Sequence, residues 1–97
     1  MKIVNKPIDV IAYFDAGLGA GHANAKWKQF PLPKRIRLLE DSAPVTVNID
    51  KIITAEESRI CGVPTIVYLC QSEIDGIARR YELKYEIGAY RWRLFKI

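Results

Sequence analysis

The last third of the chain, "PTIVYLCQSEIDGIARRYELKYEIGAYRWRLFKI" from Pro64 to Ile97, sets two turn dipeptides between alternating apolar and polar runs. Asp75-Gly76 suits a two-residue type I′ hairpin, because both central positions need positive φ, and Gly88-Ala89 suits type II′. If Ile74 pairs with Ile77, Cys70 falls opposite Tyr81, Tyr68 opposite Leu83 and Ile66 opposite Tyr85, all on one face. The second turn sets Tyr85 beside Trp92, Leu83 beside Leu94 and, on the other face, Glu86 beside Arg91. The two turns agree on which face is the core, and that agreement predicts a three-stranded antiparallel meander.

Upstream, "PIDVIAYF" places Ile8, Val10, Ala12 and Phe14 on one face. "KRIRLLE" alternates Arg35 and Arg37 with Ile36 and Leu38, and "PVTVNID" repeats the pattern with Val45, Val47 and Ile49. These are three more expected strands. Between Ile53 and Pro64 the signals change. Thr54 and Glu57 have capping-box spacing, Glu56-Glu57 suits the first turn of a helix, Gly62 can end one, and Pro64 stops its continuation. The expectation is an all-β fold with one short helix: a small antiparallel meander of about six strands, closed into a barrel or strongly curled. An open meander would leave an edge strand to dock or aggregate.

Ninety-seven residues, 49% apolar and 27% charged, suit one β-rich domain spanning 1–97. Apolar runs are too short for a membrane helix, and Asn5, Lys6, Pro7 and Asp9 break up any signal-peptide core, so a cytoplasmic setting is expected. Cys61 and Cys70 are too few for a disulfide framework, and Cys70, expected to face inward beside Tyr81, should be an inert thiol rather than half of a redox pair. The net charge of +4 permits attraction to polyanions without specifying it.

"DAGLGAGHANAKW", from Asp15 to Trp27, looks at first like a phosphate-binding turn. Its glycines follow GxGxG, Pro31 and Pro33 leave no room for a crossover helix, and no Gly-Lys-Ser/Thr ending follows, so a nucleotide site is not expected. The stretch 15–30 instead suits a flexible glycine-rich loop. Within it, Trp27 and Phe30 either fold back on the core or form a protein-contact patch. His22 is the sole histidine, no metal-ligand spacing is present, and Ser42, Ser58 and Ser72 lack nucleophile contexts. No catalytic residue, metal or cofactor is assigned, and the expected activity is binding rather than catalysis.

The pattern left over is basic and aromatic. Arg80, Lys84, Arg91, Arg93 and Phe95 fall on the face opposite the expected core, interrupted by Glu82 and Glu86, while Arg35 and Arg37 line the outer face of an earlier strand. Arginines beside exposed aromatics on a small β domain are what a nucleic-acid surface uses, with phosphates meeting arginine and bases stacking on rings. The plainer reading is a solvated strand face, with Glu86 already partnering Arg91; Lys84 opposite Arg93 is the exception, since like charges need an offset. The alternative binding class is another protein, or a second copy, held at a strand edge or at the Trp27/Phe30 loop.

The segments "PIDVIAYF", "RIRL" and "VYLCQS…DG…RRYELKYE…RWRLFKI" resemble a group of short β-rich bacterial proteins with no assigned activity. The resemblance covers about two-thirds of the chain and leaves out the glycine-rich loop. It implies the β-rich domain and carries no mechanism.

Overall fold

The computed structural model describes residues 1–16, 30–40, 42–60 and 62–97. Eight strands follow in order: β1 (Ile3–Pro7), β2 (Asp9–Phe14), β3 (Pro31–Glu40), β4 (Ala43–Asn48), β5 (Lys51–Ile60), β6 (Val63–Ile74), β7 (Ile77–Glu86) and β8 (Arg91–Lys96). They form a five-stranded sheet, β1-β8-β7-β6-β5, and a three-stranded sheet, β2-β3-β4, with every ladder antiparallel. No helix occurs among the described residues, so none is long and apolar enough to cross a membrane.

The β6-β7-β8 meander has the register expected from its turns. Asp75 and Gly76 take φ of 53° and 77°, as a type I′ turn requires, and Ile74 pairs with Ile77, Cys70 with Tyr81 and Tyr68 with Leu83. The second hairpin keeps the expected pairs Tyr85–Trp92 and Glu86–Arg91 but not the expected turn. Gly88 is not among the positive-φ glycines; the left-handed residue is Tyr90, at φ 52°. Ile87–Tyr90 form a four-residue connection in which the Ala89 amide donates to the Glu86 carbonyl at 3.2 Å, the arrangement of longer hairpin loops built on a type I turn.

The expected short helix is absent, and its residues form β5. The local signals are real but ambiguous: Gly62, at φ 76°, serves a two-residue hairpin between Ile60 and Val63 as readily as a helix end. Once the chain reverses there, β5 pairs with β6 from Lys51–Gln71 to Ile60–Val63, and the ladder outweighs a weak capping box. Pro64 tolerates its place near the start of β6 because a proline at a strand beginning forfeits little of the ladder.

The first expected strand, "PIDVIAYF", is β2 with the residues that lead into it, and it is preceded by a strand, β1, that the alternation does not announce. At Ile8 the amide still donates to the Trp92 carbonyl at 3.4 Å, while Asp9 pairs with Arg37 of β3, so the chain crosses from the large sheet to the small one within a residue. The second crossing, at Ile49 and Asp50, repeats the device: the Ile49 amide donates to Lys34 at 2.9 Å and the Asp50 amide to Gln71 at 3.0 Å. Two bent strands thus join the sheets at opposite edges, in the manner of sandwich corners, and the ladders curl without closing into a barrel.

Both sheets contribute to one core. Ile36, Leu38 and Val47 come from the small sheet, and Ala55, Ile66, Tyr68, Cys70, Ile74, Tyr81, Leu83 and Leu94 from the large one. Each fully buried valine, leucine or isoleucine among them stabilises the fold by about 1.5–3 kcal/mol relative to exposure. Two buried phenols are satisfied inside: Tyr68 donates to the Pro31 carbonyl, and the Tyr81 hydroxyl lies 2.6 Å from Ser72 Oγ. Trp92 packs beside Tyr85 and Tyr68 with centroids at 4.9 and 5.4 Å. In β2 the expected inward face fails after Ile11: a bulge that inserts Lys34 into β3 shifts the register, and Phe14 is exposed instead of packed.

Candidate nucleic-acid interface

The alternation of β7 and β8 follows from the core. Tyr81, Leu83 and Leu94 point inward, so Arg80, Glu82, Lys84 and Glu86 on β7, with Arg91 and Arg93 on β8, lie on the outer face of the large sheet. The side chains there have sorted their charges. Arg91 grips Glu86 through two bonds, Nε to Oε1 at 3.0 Å and Nη2 to Oε2 at 3.4 Å, and Arg93 Nε reaches the same Oε1 at 3.2 Å. The hydrogen bonds from Arg91 hold the Glu86 carboxyl below its ordinary range; partial burial opposes this, and the charges of Arg91 and Arg93 add to it.

This answers the unfavourable Lys84–Arg93 pair. Arg93 leans towards Glu86, while Lys84 turns away and places Nζ 3.4 Å from the centre of the Phe95 ring, with Lys96 Nζ on the same ring at 5.3 Å. Arg80 donates to Gln71 Oε1 at 3.3 Å.

Arg35 and Arg37 lie elsewhere. Between them Ile36 is buried in the core, so both arginines project from the outer face of the small sheet, Arg35 opposite Asn48 and Arg37 opposite Thr46. Arg37 makes an exposed 3.6 Å ion pair with Asp9. The seven candidate residues therefore do not share one face.

Two of them, Arg37 and Arg91, line one seam. An open groove of about 770 Å³ runs where β1 turns into β2, and its walls bring Lys6, Arg37 and Arg91 together with Pro7, Tyr90 and Trp92. Tyr90 stands 84% exposed at the mouth, held there by the left-handed turn that precedes β8. Lys6, Tyr90 and Trp92 were not candidates from sequence. Trp92 reads as core by its alternation, and only the folded seam sets Lys6 beside an arginine of another strand.

The other candidates resolve differently. Phe30, expected as a possible contact residue, is 7% exposed and sits in the core cluster, so it is removed from any contact surface. Trp27, His22, Cys61 and most of the 15–30 loop lie outside the described residues. Burial pushes the Cys70 thiol up to about 12, so it stays protonated and unreactive in the fold. Among the described residues no group of three or more His, Cys, Asp or Glu is placed to hold a metal ion.

The fold is a two-sheet, all-antiparallel β protein carrying a basic, aromatic seam. No protein-family model, curated protein or solved structure matches the chain.

Proposed function

We propose that this protein is a cytoplasmic, non-enzymatic binding domain whose ligand is single-stranded nucleic acid. The backbone of the ligand follows Arg80, Lys84, Arg93 and Arg91 over the outer face and enters the seam between Arg91, Lys6 and Arg37. The observation that carries this reading is the convergence in one groove of three cationic side chains with an 84% exposed tyrosine, Tyr90. Phosphates supply the counter-charge, and Tyr90 gives a base a ring to stack on, worth about 1–3 kcal/mol for one base. Arg91 and Arg37 are paired with Glu86 and Asp9 when no ligand is present, and a phosphate would take the place of those carboxylates. Arg35 and Phe95 lie at the margins of this path. Phe95 is covered by Lys84 and can stack only if that lysine moves to a phosphate.

The test is a titration of labelled single-stranded and duplex oligonucleotides at low and moderate salt, comparing the native chain with Arg91→Ala/Arg93→Ala. The expected result is micromolar binding, stronger for the single strand, weakened by salt and by the double substitution. Absence of binding at low salt would end the proposal.

A further inference from the structure

The two sheets have four edge strands among the described residues, and three of them are protected in recognisable ways. β1 carries Lys6, Pro7 and a bulge at Asn5, whose φ is 39°. β4 carries Pro44, and β5 carries Lys51, Glu56, Glu57 and Arg59. β2 has none of these devices beyond its first residue, Asp9. From Val10 to Phe14 it is five uncharged residues, and Ile11, Tyr13 and Phe14 are 59%, 47% and 68% exposed. The bulge in its ladder with β3 inserts Lys34 on the β3 side, so β2 itself carries no extra residue. At Ile8 the chain leaves β8, and beyond that point β2 runs past the start of β8 with its second side unpaired in the ladders of the described residues.

We propose that β2 pairs antiparallel with β2 of a second copy of this chain, making a continuous six-stranded sheet across a two-fold axis. Self-pairing follows from the backbone. Alternate residues of a strand aim their N–H and C=O at one edge, so two copies of the same edge match only where paired residue numbers sum to an even value. The sum of 24 puts Ala12 opposite Ala12, Ile11 opposite Tyr13 and Val10 opposite Phe14. Every pair within Val10–Phe14 is then uncharged, the smallest side chain sits on the axis, and Ile11–Tyr13 is a β-branched–aromatic pair of the kind that stabilises ladders. Asp9 falls opposite Asp15 at each end, where Arg37, 3.6 Å from Asp9, offsets the like charge. The neighbouring even sum, 22, sets Asp9 against Tyr13 and leaves Phe14 outside the strand pairs. Because the interface is isologous, it closes at two copies and does not propagate.

This inference is independent of the nucleic-acid reading, and its experiment uses no oligonucleotide. The full chain is examined by sedimentation from micromolar to millimolar concentration, beside Ile11→Lys, whose charge replaces an exposed side chain. Two variants in a Cys61→Ser background, Ala12→Cys and Phe14→Cys, each with the added cysteine as its one exposed thiol beside the buried Cys70, are exposed to mild oxidation. The expected result is a concentration-dependent dimer that Ile11→Lys abolishes while circular dichroism stays native. Ala12→Cys should cross-link, since the axis brings its two copies within disulfide reach, whereas the Phe14 positions lie about 13 Å apart along the strands and should not. A monomeric mass throughout, a dimer indifferent to Ile11→Lys, or equal cross-linking at both positions would overturn the proposal.

Discussion

The buried Ser72–Tyr81 pair gives the sharpest test of the core. Ser72 pairs with Arg79 and Cys70 with Tyr81, so serine and tyrosine are diagonal neighbours on the inner face. Both are fully buried, with their hydroxyls 2.6 Å apart. Tyr81→Phe removes one hydroxyl and strands the Ser72 oxygen in an apolar surround; Ser72→Ala strands the phenol. Each single change should cost about 1–3 kcal/mol, the penalty of an orphaned buried polar group. The double variant leaves no orphan, so its cost should fall below the sum of the singles by about 1–2 kcal/mol. For a domain of this size the urea slope is about 1–1.5 kcal/mol/M, so a 2 kcal/mol loss lowers the midpoint by about 1.5 M. Equilibrium urea unfolding followed by tryptophan fluorescence reads all four proteins of the cycle. Strict additivity at unchanged slope would refute the argument, because it would mean that neither hydroxyl depends on the other.

Three further outcomes follow from the same geometry. Burial raises the ionisations of Tyr68 and Tyr81 well above 10.0 and that of Cys70 from 9.0 to about 12. The stability this lends is complete below the unfolded values and is lost as pH climbs towards the folded ones, so the share of phenolate absorbance due to Tyr68 and Tyr81 should rise only together with unfolding, above about pH 10. Glu86 is shifted the other way, below 4.5, so its contribution is present above that value and disappears as pH falls through the lower folded one. Glu86→Gln should therefore be less stable by about 0.5 kcal/mol at neutral pH, with the gap to the native chain closing in acid. At the β6-β7 turn, Gly76→Ala meets open space but must hold φ at 77°, and thermal unfolding should show a loss of about 1 kcal/mol.

What the sequence revealed depended on how local the deciding interaction is. The β6-β7-β8 register was legible because a two-residue turn at Asp75-Gly76 propagates by alternation along both strands. Gly62 misled because a left-handed residue ends a helix and closes a hairpin alike, and only the partner strand β6 decides between them. The crossings at Ile8 and Ile49–Asp50 carry no turn dipeptide, and Asn5, Lys6 and Pro7 interrupt the apolar residues ahead of the first crossing, so β1 was not recognisable as a strand. The arginines were recognisable as outward-facing, but alternation does not say which sheet a strand joins. Hence Arg35 and Arg37 appeared alongside Arg91 and Arg93 when only Arg37 and Arg91 line the same groove, from opposite sheets. Tyr90 was hidden for a related reason: its exposure comes from a turn whose left-handed residue is a tyrosine rather than the nearby glycine.

A seam that is one binding surface engages Arg37 and Arg91 in the same complex. The decisive measurement is the salt dependence of single-stranded oligonucleotide affinity for the native chain, Arg37→Ala, Arg91→Ala and the double variant. With Lys6, Arg37 and Arg91 each meeting a phosphate, the seam's share of the log–log slope is about −2, and each arginine removed should reduce the slope by about 0.7. A native slope left untouched by Arg37→Ala, or no binding by the native chain at low salt, would contradict it.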